Sequence, residues 1–146
     1  MNRWTWALVK AIALGAGIGA AIGALTIVPL GLVVLASIKS PFIGVEFLMI
    51  VAALYGTVVG AIVVPLATMP CGVSITKAVG LHAIAFGTIG GWIGSALVLL
   101  QNKGADQVFQ WGDVPGIPNP IVLAFAMVGL LLGVALSRHS GFVARK

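Results

Sequence analysis

Hydrophobic residues fall into four runs, three of them long enough to cross a bilayer as a helix at roughly 20 residues per ~30 Å of hydrocarbon and the fourth somewhat shorter. The pattern predicts helices over about 6–36, 42–66, 78–100 and 120–138, in one domain covering 1–146. The connections are short except for loop 101–119, which holds Lys103, Asp106, Phe109, Trp111, Asp113, Pro115 and Pro118. Such a long stretch without repeating structure is unusual in a compact unit, and Phe109 and Trp111 suggest that it lies along the membrane surface. Ser40-Pro41 and Asn119-Pro120 each read as a cap followed by a first-turn proline, opening the second and fourth helices. Pro29 is expected to kink the first helix near its far end, and Pro65 and Pro70 to end the second. The fourth run is short for a span, so its helix either thins the bilayer or continues past Arg138.

Glycines punctuate every run at helical spacing. Gly15, Gly19 and Gly23 recur every four residues, as do Gly56 and Gly60, and Gly129 and Gly133. On a helix this spacing forms a ridge without side chains, the surface through which helices approach closely in lipid. The third run carries two ridges, one through Ala83, Gly87, Gly91 and Ser95 and one through Gly90 and Gly94. Two ridges predict neighbours on two sides and make this the most enclosed helix. Trp92, off both ridges, is expected to fill a void left by the glycines of another helix, with its indole N–H finding a carbonyl or hydroxyl. Gly19–Leu30 resembles Gly56–Leu66 with one deletion, either a chance match between segments dominated by Gly, Ala, Val and Leu or, in adjacent antiparallel helices, an inverted repeat.

Composition fixes the solvent. Hydrophobic residues are 60% of the chain, there are 20 glycines among 146 residues, and only 8% are charged. A soluble domain this small leaves a large share of its surface in water and could not hide so much apolar area. The expected class is therefore an all-α integral membrane protein, with four transmembrane helices packed as a glycine-rich bundle. The net charge of +5 does not signal nucleic acid, because the cations sit singly or in pairs at the edges of the runs. Arg3, Lys10, Lys77, Arg138, Arg145 and Lys146 lie on one side, and Lys39 and Lys103 on the other. That bias predicts both termini in the cytoplasm of a cell-membrane protein. Arg3, Trp4, Trp6 and Lys10 form an interfacial anchor at the start.

Candidate chemistry is sparse. Catalysis needs groups that move protons or charge within reach of each other, and the chain offers three acids, two histidines, one cysteine and one tyrosine. No metal-ligand spacing, nucleophile elbow or phosphate loop appears, so no enzyme, metal or cofactor is expected. Glu46, inside the second helix, is either a proton or cation site or a carboxylate that reaches the surface or pairs with Lys39. His82 is either a packing residue, a proton relay, or a heme or pigment ligand. Asp106 and Asp113 are a weak cation signal. His139 reads as a solvated tail residue. Cys71, which follows Pro70, reads as an unmodified loop thiol, with lipidation the alternative.

The leading functional expectation is a non-enzymatic scaffold or accessory subunit, packing in the lipid bilayer against copies of itself or a larger membrane complex. Its contact residues are Gly15, Gly19, Gly23, Gly56, Gly60, Gly87, Gly90, Gly91, Gly94, Gly129 and Gly133, on the ground that so small a chain cannot use every glycine face internally. An oligomeric transporter or channel using Glu46 and His82 is the alternative. A membrane immunity protein is a third reading, on size and topology alone.

Overall fold

In a computed structural model, residues 3–37, 43–69, 76–101, 107–108, 110–112, 114–115 and 117–143 are described. Four helices dominate: α1 (Arg3–Ser37), α2 (Ile43–Thr68), α3 (Lys77–Leu100) and α4 (Pro120–Val143). Each contains a span long and apolar enough to cross a membrane, so the chain has multi-pass membrane character. Most boundaries reach further than expected. α1 starts at Arg3 and includes both Trp4 and Trp6, α2 starts at Ile43 and runs through Pro65 to Thr68, and α4 continues past Arg138, one of the two outcomes expected, to end at Val143. Pro29 and Pro65 both lie inside helices, which tolerate them where neighbouring groups re-satisfy the freed carbonyls. Asn119 caps α4, its Oδ1 accepting from the Ile121 N–H at 3.1 Å. The Thr76 hydroxyl accepts from the Val79 N–H at the start of α3. The expected turn at Lys39, Ser40 and Pro41, together with Pro70, Cys71, Lys103, Asp106, Phe109 and Asp113, lies outside the described residues.

The bundle is two antiparallel hairpins, α1–α2 and α3–α4, joined along α1 and α3. In the first hairpin the backbones touch. A Cβ added to Gly19 would strike the Gly56 carbonyl oxygen, and one added to Gly56 would strike that of Gly19. Gly15 and Gly60 stand in the same mutual relation, and Gly23 faces the Ala52 carbonyl. Moving four residues up one helix moves the contact four residues down the other. The C–H of each glycine points at the opposing oxygen, a weak hydrogen bond worth roughly 0.5–1 kcal/mol.

The second hairpin repeats the device with different partners. Gly90 faces the Phe125 carbonyl, Gly129 that of Phe86, and Gly133 that of His82, while a Cβ on Gly94 would lie 2.8 Å from the Val122 Cα. Here Phe86-Gly90-Gly94 opposes Phe125-Gly129-Gly133: Gly90 and Gly129 receive the backbone of the other helix at its phenylalanine, and Gly94 and Gly133 receive it at Val122 and His82.

The seam between hairpins is built differently. α1 and α3 run parallel, and α1 places side chains in α3 notches. Ile22 fills the space beside Gly87, and Thr26 the space beside Gly91. The two ridges of α3 therefore serve two neighbours, Gly87 and Gly91 facing α1 and Gly90 and Gly94 facing α4. Over an apolar eighteen-residue stretch of each helix, the buried share in α3, 44%, exceeds the 39%, 17% and 33% of α1, α2 and α4.

All eleven glycines expected to make contacts meet another helix of the same chain. The premise that so small a chain must leave glycine faces for partners is thereby corrected. Antiparallel pairing lets two ridges satisfy each other, and the second ridge of α3 absorbs the remaining helix. Gly17 and Gly44, by contrast, have open space where a Cβ would go.

The α3–α4 connection is also not structureless. Gln107 and Val108 form a tight turn, and Gln110–Trp111 pairs antiparallel with Val114–Pro115 around Gly112, whose φ of 60° favours glycine. Val108 is fully buried among Ile27, Leu30, Ala52, Val98 and Val122. Asn119 holds the turn in place, its N–H donating to the Val108 carbonyl at 2.9 Å and its Nδ2 to the Gln107 carbonyl at 3.2 Å. The segment caps one end of the bundle.

Gly17→Ala and Gly19→Ala form a matched pair. Gly17→Ala should hold or raise thermal stability in detergent, by up to about 1 kcal/mol from helix propensity. Gly19→Ala should lower it by about 1–3 kcal/mol, because its Cβ meets backbone that cannot move aside cheaply. Equal behaviour of the two variants would contradict the hairpin contact.

Candidate functional site

Polar side chains in the spans turn to the backbone. Thr26 donates to the Ile22 carbonyl, Thr57 to Ala53, Thr68 to Val64, and Ser95 to Gly91, each four residues back along its own helix. The tail-proximal Ser137 donates to the Val134 carbonyl.

A hydrogen bond between described residues crosses from one hairpin to the other. The Trp92 indole N–H donates to the Leu25 carbonyl at 3.0 Å. Helical geometry explains the choice of acceptor. The Leu25 carbonyl would ordinarily receive the N–H of the residue four positions on, which is Pro29 and has none. Trp92 thus satisfies the carbonyl that Pro29 frees. The ring is 43% exposed, so it flanks the α1–α3 seam and does not fill an internal void as the sequence suggests. One turn before it on α3, the Thr88 hydroxyl is buried with no hydrogen-bond partner.

Glu46 and His82 are not brought together. Glu46 is exposed on α2, near the α1 level of Pro29, on the same face as Ala53 and Thr57. His82 lies on α3 of the other hairpin, near the opposite end of the bundle. It is half-buried, its Nδ1 is 2.8 Å from the Ala78 carbonyl, and its own carbonyl faces Gly133. His139 is exposed near the end of α4. Among the described residues, no group of three His, Cys, Asp or Glu side chains gathers.

A concavity lies elsewhere. α2 and α4 scarcely touch, and the cleft between them is floored by Gly19, Ile22, Gly23 and Thr26 of α1. Ala52, Tyr55, Gly56 and Val59 form one wall, and Val122, Leu123, Ala126, Met127 and Leu130 the other, with Pro118 at the capped end. The surface is almost wholly hydrocarbon, since Thr26 has already donated its hydroxyl hydrogen to Ile22.

Sequence reading passed over Leu25, Val108 and this groove. The first was accessible by counting four residues back from Pro29. Val108 is one apolar residue in a polar stretch, and the groove depends on which helices fail to meet.

Fold and site define a class: a helical protein of multi-pass membrane character, made of two glycine-packed hairpins bridged along one seam, with an apolar groove opposite. No family model, curated protein or solved structure matches the chain.

Trp92→Phe should destabilise the fold by about 1–2 kcal/mol by leaving the Leu25 carbonyl without a donor. In Pro29→Ala, residue 29 regains the N–H that serves this carbonyl, so the tryptophan substitution should cost less in that background, as read in a double-mutant cycle of thermal unfolding. Additive effects would contradict the assigned bond. Thr88→Val, which removes an unpartnered hydroxyl at nearly constant shape, should hold or raise the same melting temperature.

Proposed function

We propose that the protein is a non-enzymatic scaffold or accessory subunit of the cell membrane, with both termini in the cytoplasm. It associates laterally with a larger membrane complex or a second copy of itself. The cation bias toward the N-terminus, the α2–α3 loop and the tail supports the orientation.

The observation that carries this reading is the coverage of α2. Only 17% of the positions in its apolar eighteen-residue stretch are buried. Phe47, Ile50, Leu54, Val58, Ile62 and Leu66, each more than half exposed, recur every three or four residues and make one continuous stripe. Helix contacts in lipid come from close packing and not from a hydrophobic drive, so a fixed stripe on a backbone-locked hairpin presents a definite shape. The glycines hold that shape from within, and the partner meets large side chains. The transport alternative gains no specific support, since Glu46 and His82 stand on different hairpins.

Photo-crosslinking in native membranes tests the proposal. A benzophenone attached at Leu54→Cys or Val58→Cys, in a Cys71→Ser background, should yield a discrete heavier band. The same probe at Leu132→Cys on α4 should not. A monomer at all three positions, together with ion or solute flux from liposomes of the purified chain, would overturn it.

A further inference from the structure

The groove between α2 and α4 has a size, a polarity and a position that specify its occupant. Along α4 it extends from Val122 to Leu130, or ~12 Å at 1.5 Å per residue. Its volume is about 60 Å³, room for roughly four to six water-sized groups at ~10–15 Å³ each. A few methylenes of one chain fit, and a helix ~10 Å across does not. Contact area gives the same answer, since so small a hollow offers far less than the ~1,200–2,000 Å² in total that a specific protein–protein interface buries.

Polarity narrows the choice further. The lining offers no arrangement of donors and acceptors that a headgroup, a peptide end or a solute would need. Position then fixes the direction of entry. The groove begins near mid-bundle, where Gly19 meets Gly56, and ends at Pro118 beneath the cap that Val108 and Asn119 hold in place. That end is closed, the side between α2 and α4 is open, and the length is close to the ~15 Å hydrocarbon depth of one leaflet.

We infer that the groove is a binding site for a single acyl chain of a membrane phospholipid, entering sideways between α2 and α4 and lying against the α1 glycines. Gly19, Ile22, Gly23 and Thr26 of α1 form the floor on which the methylene chain lies. The site selects a chain and not a headgroup. The lipid fills the one seam of the bundle where two helices fail to meet, and so acts as a packing element. This site is lined by α2 residues other than those of the exposed stripe.

The test uses the full chain in phosphatidylcholine liposomes containing a phosphatidylcholine with a diazirine near the end of one acyl chain. After photolysis, peptide mapping should find adducts on Tyr55, Val59 and Met127 several-fold above those on the outward Leu54, Val58 and Leu132. Val59→Trp, which fills the groove, should reduce groove labelling several-fold, while the neighbouring Val58→Trp leaves it unchanged. Met127→Trp gives a second filling variant from the opposite wall, and thermal unfolding confirms that each variant analysed is folded. Labelling spread evenly over groove and outer faces would overturn the inference. So would crosslinks from the groove to another polypeptide, which would show a protein occupant.

Discussion

The closest contacts in this protein are between backbones. Where Gly15, Gly19 and Gly23 of α1 meet Gly60, Gly56 and Ala52 of α2, no side chain separates the helices, and carbonyl oxygens lie against glycine C–H groups. In water a small fold depends on removing apolar side chains from solvent. Between helices in hydrocarbon that drive is absent, and dispersion together with weak C–H···O contacts decides the arrangement. Both fall off steeply with distance, so the fold rests on whether these helices can approach to backbone contact. A single methyl group at Gly19 is enough to prevent it.

The rest of the architecture follows from where that contact is used. Each hairpin uses its glycines mutually, chiefly glycine against glycine in α1–α2, and glycine against the backbone of Phe86, Phe125, His82 and Val122 in α3–α4. What remains for joining the hairpins is a looser fit of Ile22 and Thr26 into the Gly87 and Gly91 notches, strengthened by the bond from Trp92 to the carbonyl freed by Pro29. Joining along α1 and α3 leaves α2 and α4 apart. The groove and the exposed stripe of α2 are thus both consequences of a single seam. A proline that would weaken an isolated helix becomes, in this setting, the source of the acceptor that helps join the halves.

The sequence showed much of this, unevenly. Four apolar runs predicted four helices, since run length and the thickness of hydrocarbon leave few alternatives. The ridges of α3 separated into a Gly87–Gly91 face and a Gly90–Gly94 face because a rotation of 100° per residue is fixed by helix geometry. Which ridge meets which helix was not legible, because glycine spacing carries no address. That is why the same residues read equally well as contacts with another molecule, a premise the intramolecular pairing removes. The shared Phe-x-x-x-Gly-x-x-x-Gly pattern of Phe86-Gly90-Gly94 and Phe125-Gly129-Gly133 was present but inconspicuous in an apolar background. Val108 could not be recognised as a core residue, since its burial depends on the Asn119 hydrogen bonds that fold the connecting segment back over the bundle. Glu46 and His82 stood out as rare ionisable groups in apolar runs, yet rarity says nothing about proximity.

The most direct measurement is a carbon-13 correlation spectrum of the selectively glycine-labelled chain in lipid bilayers. Backbone contact predicts interhelical cross-peaks between Gly19 and both Gly56 and Gly60, and between Gly15 and Gly60. Their absence, with these glycines instead correlated to lipid acyl carbons, would contradict the account at its foundation.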